Sequence, residues 1–542
     1  MSYSEKAALE DHAEDASPLP FLASSAKEAT DREHAMTLRT ALRLYPKAIA
    51  WSMFLSSAVA MEGYDIVLIA SFFAFPPWNR KFGHRLPGTS DFEVSAAWQS
   101  GLSNGARVGE IFGLILNGFA ADRLGYRKTM VGFLLMMIAF IFVPFFAQDI
   151  ATLQVGTVLM GIPWGVFQTL TTTYASEVCP VVLRGYLTTY VNMMWGLGQL
   201  IASGALRGFL HRNDQWAYPI PYALQWVWPA PLLIGALFAP ESPWWLVRKD
   251  RLDDAKKSLQ RLTSNAPADD IDQTVSMMIH TNELERHVSA GTSFSDCFRG
   301  VDLRRTEITC LTWITQPLCG ASLMAFSAYF FKQAGLSDGF SFDFSMALYS
   351  VAMIGVVIAW FAMSRFGRRT LFLAGLSAVC LILLIIGFVS LAPPKASGTN
   401  FAIGSLLLLW TLFYDITVGT ITYAIVAEIP SCRLRTKTVV LGRCLYNVIG
   451  IMNGIITPRM LNPSAWNWQG KVGFFWAGMC FLCLTWAYFR LPEPKGRTYG
   501  ELDALFERGI SARKFKNTKL ELFGEDEKVD VAEIKNRSRN GL

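Results

Sequence analysis

The chain has 542 residues, of which 52% are hydrophobic and only 17% charged, whereas soluble domains carry about a quarter charged residues. A net charge of +6 demands no nucleic acid, and the nine cysteines show no spacing of a disulfide framework or a zinc site. The apolar residues gather in long, nearly uncharged runs rather than at amphipathic spacing, which excludes a soluble enzyme, a disordered scaffold and a secreted disulfide protein.

In chain order, residues 1–47 are polar and lack the apolar core of a signal peptide, so the first span is expected to serve as the targeting signal. Twelve membrane-spanning helices are predicted, near 48–74, 98–121, 129–147, 151–175, 186–207, 222–239, 306–331, 343–363, 370–391, 403–427, 436–458 and 470–490. They divide into a six-helix half over 48–240 and a second over 306–490. The charged stretch 241–305 between them predicts short amphipathic surface helices, and the tail 491–542 is polar, mixed in charge and expected to be disordered. Lys and Arg concentrate in both tails and the central loop, which puts these on the cytosolic side. Trp51, Trp466 and Trp468 are expected to anchor span ends at the membrane surface. Cys480 and Cys483 form a CxxC inside an apolar helix, where packing is the simpler reading.

An internal repeat supports the division. Glu177-x-x-Pro180 with Arg184 recurs as Glu428-x-Pro430 with Arg435, each pair 251 residues apart, and Pro240-Glu241 recurs as Pro492-Glu493. The loop Asp122-Arg123-Leu-Gly125-Tyr-Arg127-Lys128 has an echo in Gly367-Arg368-Arg369. Such duplication is the mark of transporters built from structural repeats around a midplane site.

Charge inside a bilayer is costly and points to function. Span one holds Glu62 and Asp65, and span two holds Arg107 and Glu110, each pair one turn apart on one helical face. Neighbouring carboxylates in a low dielectric can take up and release protons. No histidine lies in any span, so a proton site has to be acidic. The plainer reading is that Arg107 neutralises these acids and locks the helices. Asp415 in span ten and Arg443 in span eleven are further isolated charges, for which pairing across the helices or access to the cavity is expected. No metal site, cofactor motif or nucleophile–base constellation is found. The Asn536 sequon falls in the inward tail, where glycosylation is not expected.

The acidic-Arg-x-Gly-x-Arg-Lys loop after span two and the PESPWWL motif Pro240–Leu246 resemble the sugar porter branch of the major facilitator superfamily. MEGYD (Met61–Asp65), IPWG (Ile162–Gly165), YASEVCP (Tyr174–Pro180), the stretch Pro221–Arg251, AEIPS (Ala427–Ser431) and LRTKT (Leu434–Thr438) are similar to fungal alpha-glucoside permeases of the maltose permease type. The resemblance runs from about 48 to about 515. It implies an all-α membrane fold of twelve helices in two pseudo-symmetric halves. The implied function is proton-coupled uptake of maltose-like disaccharides across the plasma membrane by alternating access, without enzymatic activity or a cofactor. The implied partners are a sugar, protons and the lipid bilayer, with both termini cytoplasmic, no nucleic acid and function as a monomer.

Residue by residue, the resemblance implies proton coupling at Glu62, Asp65 and Glu110 and sugar binding at Asn192, Gln199, Thr315, Gln316 and Tyr423. Interhelical packing is the alternative for each of the latter. Hexose porters pair the span-one aspartate with an arginine where this chain has Thr157, and Arg107 is the expected replacement. At the cytosolic span ends, Asp122, Arg123, Arg127, Glu177, Arg184, Arg368, Glu428 and Arg435 are expected to form ion pairs between the halves that hold an inner gate shut, although topology alone also places cations there. A hexose uniporter or symporter and a non-transporting sugar sensor are the rival readings.

Overall fold

The structure is a computed structural model. It describes residues 36–518 except 86–91, 213, 265–266, 290–292, 393–396, 432–433, 496, 498–501, 503–504 and 516–517. The Asn536 sequon lies outside the described residues.

Among the described residues, ten helices are long and apolar enough to cross a membrane. They are Pro46–Phe72, Tyr126–Phe145, Ile150–Val178, Pro219–Phe238, Gly300–Ala325, Asp338–Arg365, Arg368–Val389, Gly398–Glu428, Lys437–Leu461 and Gln469–Arg490. These are spans one, three, four and six to twelve. Spans two and five are the helices Ala96–Leu124 and Val181–Phe209, of 29 residues each. They are less apolar because they hold Arg107, Glu110, Asn192 and Gln199.

Spans six, seven and ten are broken, the first two at prolines and a glycine written in the sequence. Span six has prolines at 219, 221, 229 and 231, and between its helical pieces Leu224–Val227 winds as a 3-10 turn. Span seven breaks after Gln316, where Pro317 is followed by Gly320 at φ 102°, a conformation costly for any residue with a Cβ. Span ten breaks at Thr417, outside helical geometry at φ −123°, ψ −91°.

The sequence repeat corresponds to one capping device used twice. Glu241 accepts backbone N–H bonds from Tyr126 (2.8 Å) and Arg127 (3.2 Å) at the start of span three. Glu493 accepts them from Arg368 (2.8 Å), Arg369 (3.1 Å) and Thr370 (3.4 Å) at the start of span nine. A carboxylate there satisfies orphan N–H groups and complements the helix dipole.

Three details differ from the sequence reading. The loop after span one contains a helix, Pro76–Phe82, and a two-stranded antiparallel ribbon, His84–Arg85 with Phe92–Glu93, a small exception to an all-α fold. The linker helices Pro243–Arg248, Leu252–Leu262 and Ala268–Ser289 pack on the first half through Ala255, Leu259, Leu262, Ile271 and Val275; the last is not short. Part of the tail expected to be disordered is folded: Leu502, Leu505, Phe506 and Phe515 are buried, with the Arg304 and Arg305 guanidinium groups over the Phe506 ring. Apolar side chains four and nine residues apart gave the tail a burial face that its charge content hid.

Candidate transport site

The central charges come from spans one, two and eleven. Glu62 is 2% exposed and accepts a hydrogen bond from Gln168 of span four at 3.1 Å; its second oxygen has no partner. It lies within the electrostatic reach of Glu110, Arg443 and Arg107. Glu110 is 3% exposed and feels the same two arginines. Arg107 reaches across to the second half, where a Cβ on Gly450 would meet its Nη1 at 2.5 Å. Two carboxylates and two guanidinium groups thus face one another across the boundary between the halves. None of these acids closes on either arginine as a direct ion pair.

Arg443 is not the partner of Asp415, contrary to the sequence expectation. Its guanidinium stacks over Trp313 (5.1 Å) and Tyr446 (4.5 Å) beside Tyr423. Asp415 lies against span eight instead, where a Cβ on Gly355 would meet its own Cβ at 2.9 Å. The two residues sit on different faces of the second half, which helix spacing within one span cannot reveal about another.

Asp65 is fully buried and apart from this charge cluster. Its Oδ1 accepts a hydrogen bond from Gln225 Nε2 at 2.5 Å, and Oδ2 has no partner. Arg107 is therefore not its partner, as the sequence had suggested. Thr157 donates only to Gln154 of its own helix, at 2.9 Å.

The five expected sugar positions are not equivalent. Gln199 is fully buried, and neither its amide oxygen nor its nitrogen has a partner. Asn192 is half-buried on the same helix. Gln316 donates to the Gly419 carbonyl at 2.8 Å and so ties the break in span seven to that in span ten. Tyr423 packs edge-on against Trp313, with ring centroids 5.0 Å apart. Thr315 bonds back to Leu311 at 2.8 Å and lies beside Cys483 of span twelve.

The profile of a family described as "Sugar (and other) transporter" matches residues 51–506. The chain belongs to this family. A general alpha-glucoside permease of Saccharomyces cerevisiae is 43% identical over 505 residues, 92% of this chain and 82% of that protein. A maltose permease of the same yeast is 42% identical over 517 residues, 94% of this chain and 83% of its own length. Among solved structures, the inward-open xylose transporter of E. coli is similar at a TM-score of 0.69, with 18% identity, 84% of this chain and 99% of that one covered. The same protein bound to 6-bromo-6-deoxy-D-glucose gives 0.69 at 19% identity over 85% and 99% of the two chains. These solved structures share the fold: a multi-pass membrane transporter of twelve helices in two halves. The yeast relatives are permeases, not enzymes.

In this sugar transporter the halves meet at the end away from the linker. There Arg207 pairs with Asp343 at 2.7 Å, Gln99 donates to Tyr329 at 3.3 Å, and Asn462 donates to the Val94 carbonyl at 3.1 Å. Tyr329 also hydrogen-bonds Glu93. Phe73 stacks on Phe326 at 6.3 Å, and one apolar core runs through both halves here.

At the linker end, the charged residues of the first half pair with the linker packed on it, and those of the second pair among themselves. Glu177 takes Arg248 at 2.7 Å and Tyr126 OH at 3.0 Å, and Asp122 takes Lys249 at 3.2 Å. Glu428 pairs with Arg368 at 3.1 Å. Arg123 and Arg127 are exposed, and Arg184 has a buried Nε without a partner. The Arg435 side chain lies outside the described residues. Among the described residues, no ion pair crosses the halves at this end. Toward this end Trp360 of span eight touches span five, its ring 6.2 Å from that of Tyr186 and its Nε1 donating to Thr189 at 2.8 Å.

Sequence reasoning missed Gln168, Gln225, Trp313, Tyr446 and Asn447. Asn447 is fully buried with both amide atoms unpartnered. Polarity inside an apolar span was the signal available for Asn447 and the glutamines; the two aromatics carried none.

Proposed function

We propose that this transporter carries alpha-glucoside disaccharides, maltose foremost, together with protons across the plasma membrane by alternating access, with both termini in the cytosol. The observation that carries the proton half of this reading is the set of buried carboxylates Glu62, Asp65 and Glu110, none in a direct ion pair. Carboxylates so placed can be neutral in one state and charged in another. The place of Glu62 and Glu110 at the boundary between the halves lets rocking of the halves move them between the two faces. Alpha linkage rests on the yeast permeases that match most of the chain.

The sugar site is assigned to Gln199 and Asn192 from the first half and to Tyr423, Thr315 and Gln316 from the second. The unpartnered amide of Gln199 supports its place, because buried polar atoms without partners are unfavourable until a ligand supplies them. The rim of Trp313, Tyr423 and Tyr446 adds an aromatic platform. With the outer end tied and the linker-end pairs confined within halves, the described conformation is read as inward-facing. Asp122, Arg123, Arg127, Glu177, Arg184, Arg368, Glu428 and Arg435 would re-pair when that end closes. The transporter is read as functional as a monomer in the lipid bilayer.

The test is uptake of labelled maltose with external pH recorded, in cells lacking other sugar carriers. Accumulation with external alkalinisation is expected, and glucose at equal concentration should compete at least tenfold less well. Equal competition by glucose would leave a general hexose carrier. Binding without uptake would leave a sensor.

A further inference from the structure

We infer that Gln225 is the positioning residue for Asp65, holding its carboxylate in place through both halves of the proton cycle. The inference rests on the reading of Asp65 as a coupling residue.

The broken geometry of span six places the amide. The 3-10 turn Leu224–Val227 aims Gln225 at span one. That turn is fixed from the same stretch of span one: the Tyr64 hydroxyl, next to Asp65, donates to the Pro221 carbonyl at 2.7 Å, and the Tyr64 ring lies 5.7 Å from Trp228. Tyr222 is buried alongside. Gln225 and Asp65 are both fully buried, and the 2.5 Å bond between them is the one protein hydrogen bond of either side chain. Asp65 Oδ2 and Gln225 Oε1 both lack partners. Among the described residues, no arginine or lysine pairs with Asp65.

An amide carries both a donor and an acceptor. Facing an ionised Asp65, Gln225 donates N–H, as in this structure. When Asp65 takes up a proton, rotation of the amide by half a turn presents Oε1 to accept the new O–H. Gln225 neither gains nor loses a proton; the proton enters and leaves on Asp65 alone. A guanidinium has no acceptor and would serve the ionised form only. The residue at 225 thus replaces a charged partner with one that fits either state, in a chain that has Thr157 where an arginine is otherwise expected.

Net uptake requires Asp65 to release its proton on the inner side, whereas exchange of sugar for sugar does not. The test therefore compares Gln225→Met, which keeps length and removes the amide, with Asp65→Asn and with the double variant, in vesicles containing protein of matched folded yield. Gln225→Met is expected to lower proton-driven maltose accumulation about tenfold, through Vmax, while maltose exchange and KM stay within about threefold. Added to Asp65→Asn, it should cause no further loss. Parallel loss of exchange and accumulation, or additive loss in the double variant, would reduce Gln225 to a packing role. Wild-type accumulation by Gln225→Met, with Asp65→Asn uncoupled, would overturn the inference alone. Wild-type accumulation by Asp65→Asn would overturn the coupling reading on which it stands.

Discussion

Arg443 holds its charge on two aromatic faces, Trp313 and Tyr446, rather than on a carboxylate. Cation–π contact of this kind stabilises a guanidinium by roughly 0.5–2 kcal/mol and leaves its field free to act on Glu62 and Glu110 across the boundary. Removing it would leave two acids facing Arg107 alone. Arg443→Gln is therefore expected to lower maltose uptake at least tenfold with protein still folded. Glu62→Gln combined with it should recover part of the loss, because the cluster is again balanced. Uptake assays on membranes with equal folded yield read the outcome, and additive losses would show that the two charges do not interact. Arg443→Lys should not restore function, since an ammonium cannot stack as a planar guanidinium does. The charges themselves were legible as ionisable residues in apolar runs. Their partners were not, because partner choice depends on which helix faces which.

At the scale of elements, spans two and four pack backbone to backbone. A Cβ on Gly109 would come within 2.8 Å of Gly161 Cα, and one on Gly161 within 3.0 Å of Gly109 Cα. Small residues permit such close approach in membranes. Glu110 follows Gly109, so the spacing of these helices also sets where the carboxylate stands. Gly161→Val is expected to destabilise the fold by about 1–3 kcal/mol through overpacking. It should lower both folded yield, seen by detergent size-exclusion, and coupled uptake. The duplicated glutamate caps give a second prediction at this scale. Glu493→Ala removes the carboxylate that accepts three N–H bonds at the start of span nine and should cost about 1 kcal/mol. A thermal melt in detergent would register it, and Glu241→Ala should behave alike at span three. The Pro-Glu repeat was visible in the sequence, but that each glutamate caps the helix three spans back along the chain was not.

For the whole molecule, the end away from the linker, read as the outer one, is tied by contacts of unequal strength. Arg207 and Asp343 are 34% and 47% exposed, so their pair is worth about 0–1 kcal/mol. Tyr329 is fully buried, and its bonds with Glu93 and Gln99 join the loop after span one and the start of span two to the far piece of span seven. Losing a buried hydrogen bond typically costs about 1–3 kcal/mol when a partner is left unpaired. Tyr329→Phe should therefore weaken the closed outer end and raise the population open to the outside. Half-saturation for outside maltose should fall by about two- to fivefold, and that for inside maltose should rise. Vesicles of known orientation, loaded on one side at a time, would measure both. An equal change on the two sides would mean that the tie does not set the balance between conformations.

Apolar run length set the number of spans and the internal repeat the division into halves, because a bilayer requires each crossing to be about 20 apolar residues with its backbone satisfied internally. Proline and glycine positions marked where spans six and seven break. Composition also named the central acids, since a charge inside an apolar run is too costly to be incidental. Tertiary structure alone decided that Asp65 faces Gln225 and not Arg107, that Arg443 faces the first half and not Asp415, and that the charged span ends pair within halves. Each is a contact between helices distant in sequence, fixed by the rotation of one helix against another. Helical periodicity gives the face on which a side chain stands, and only packing of the whole bundle gives what that face meets.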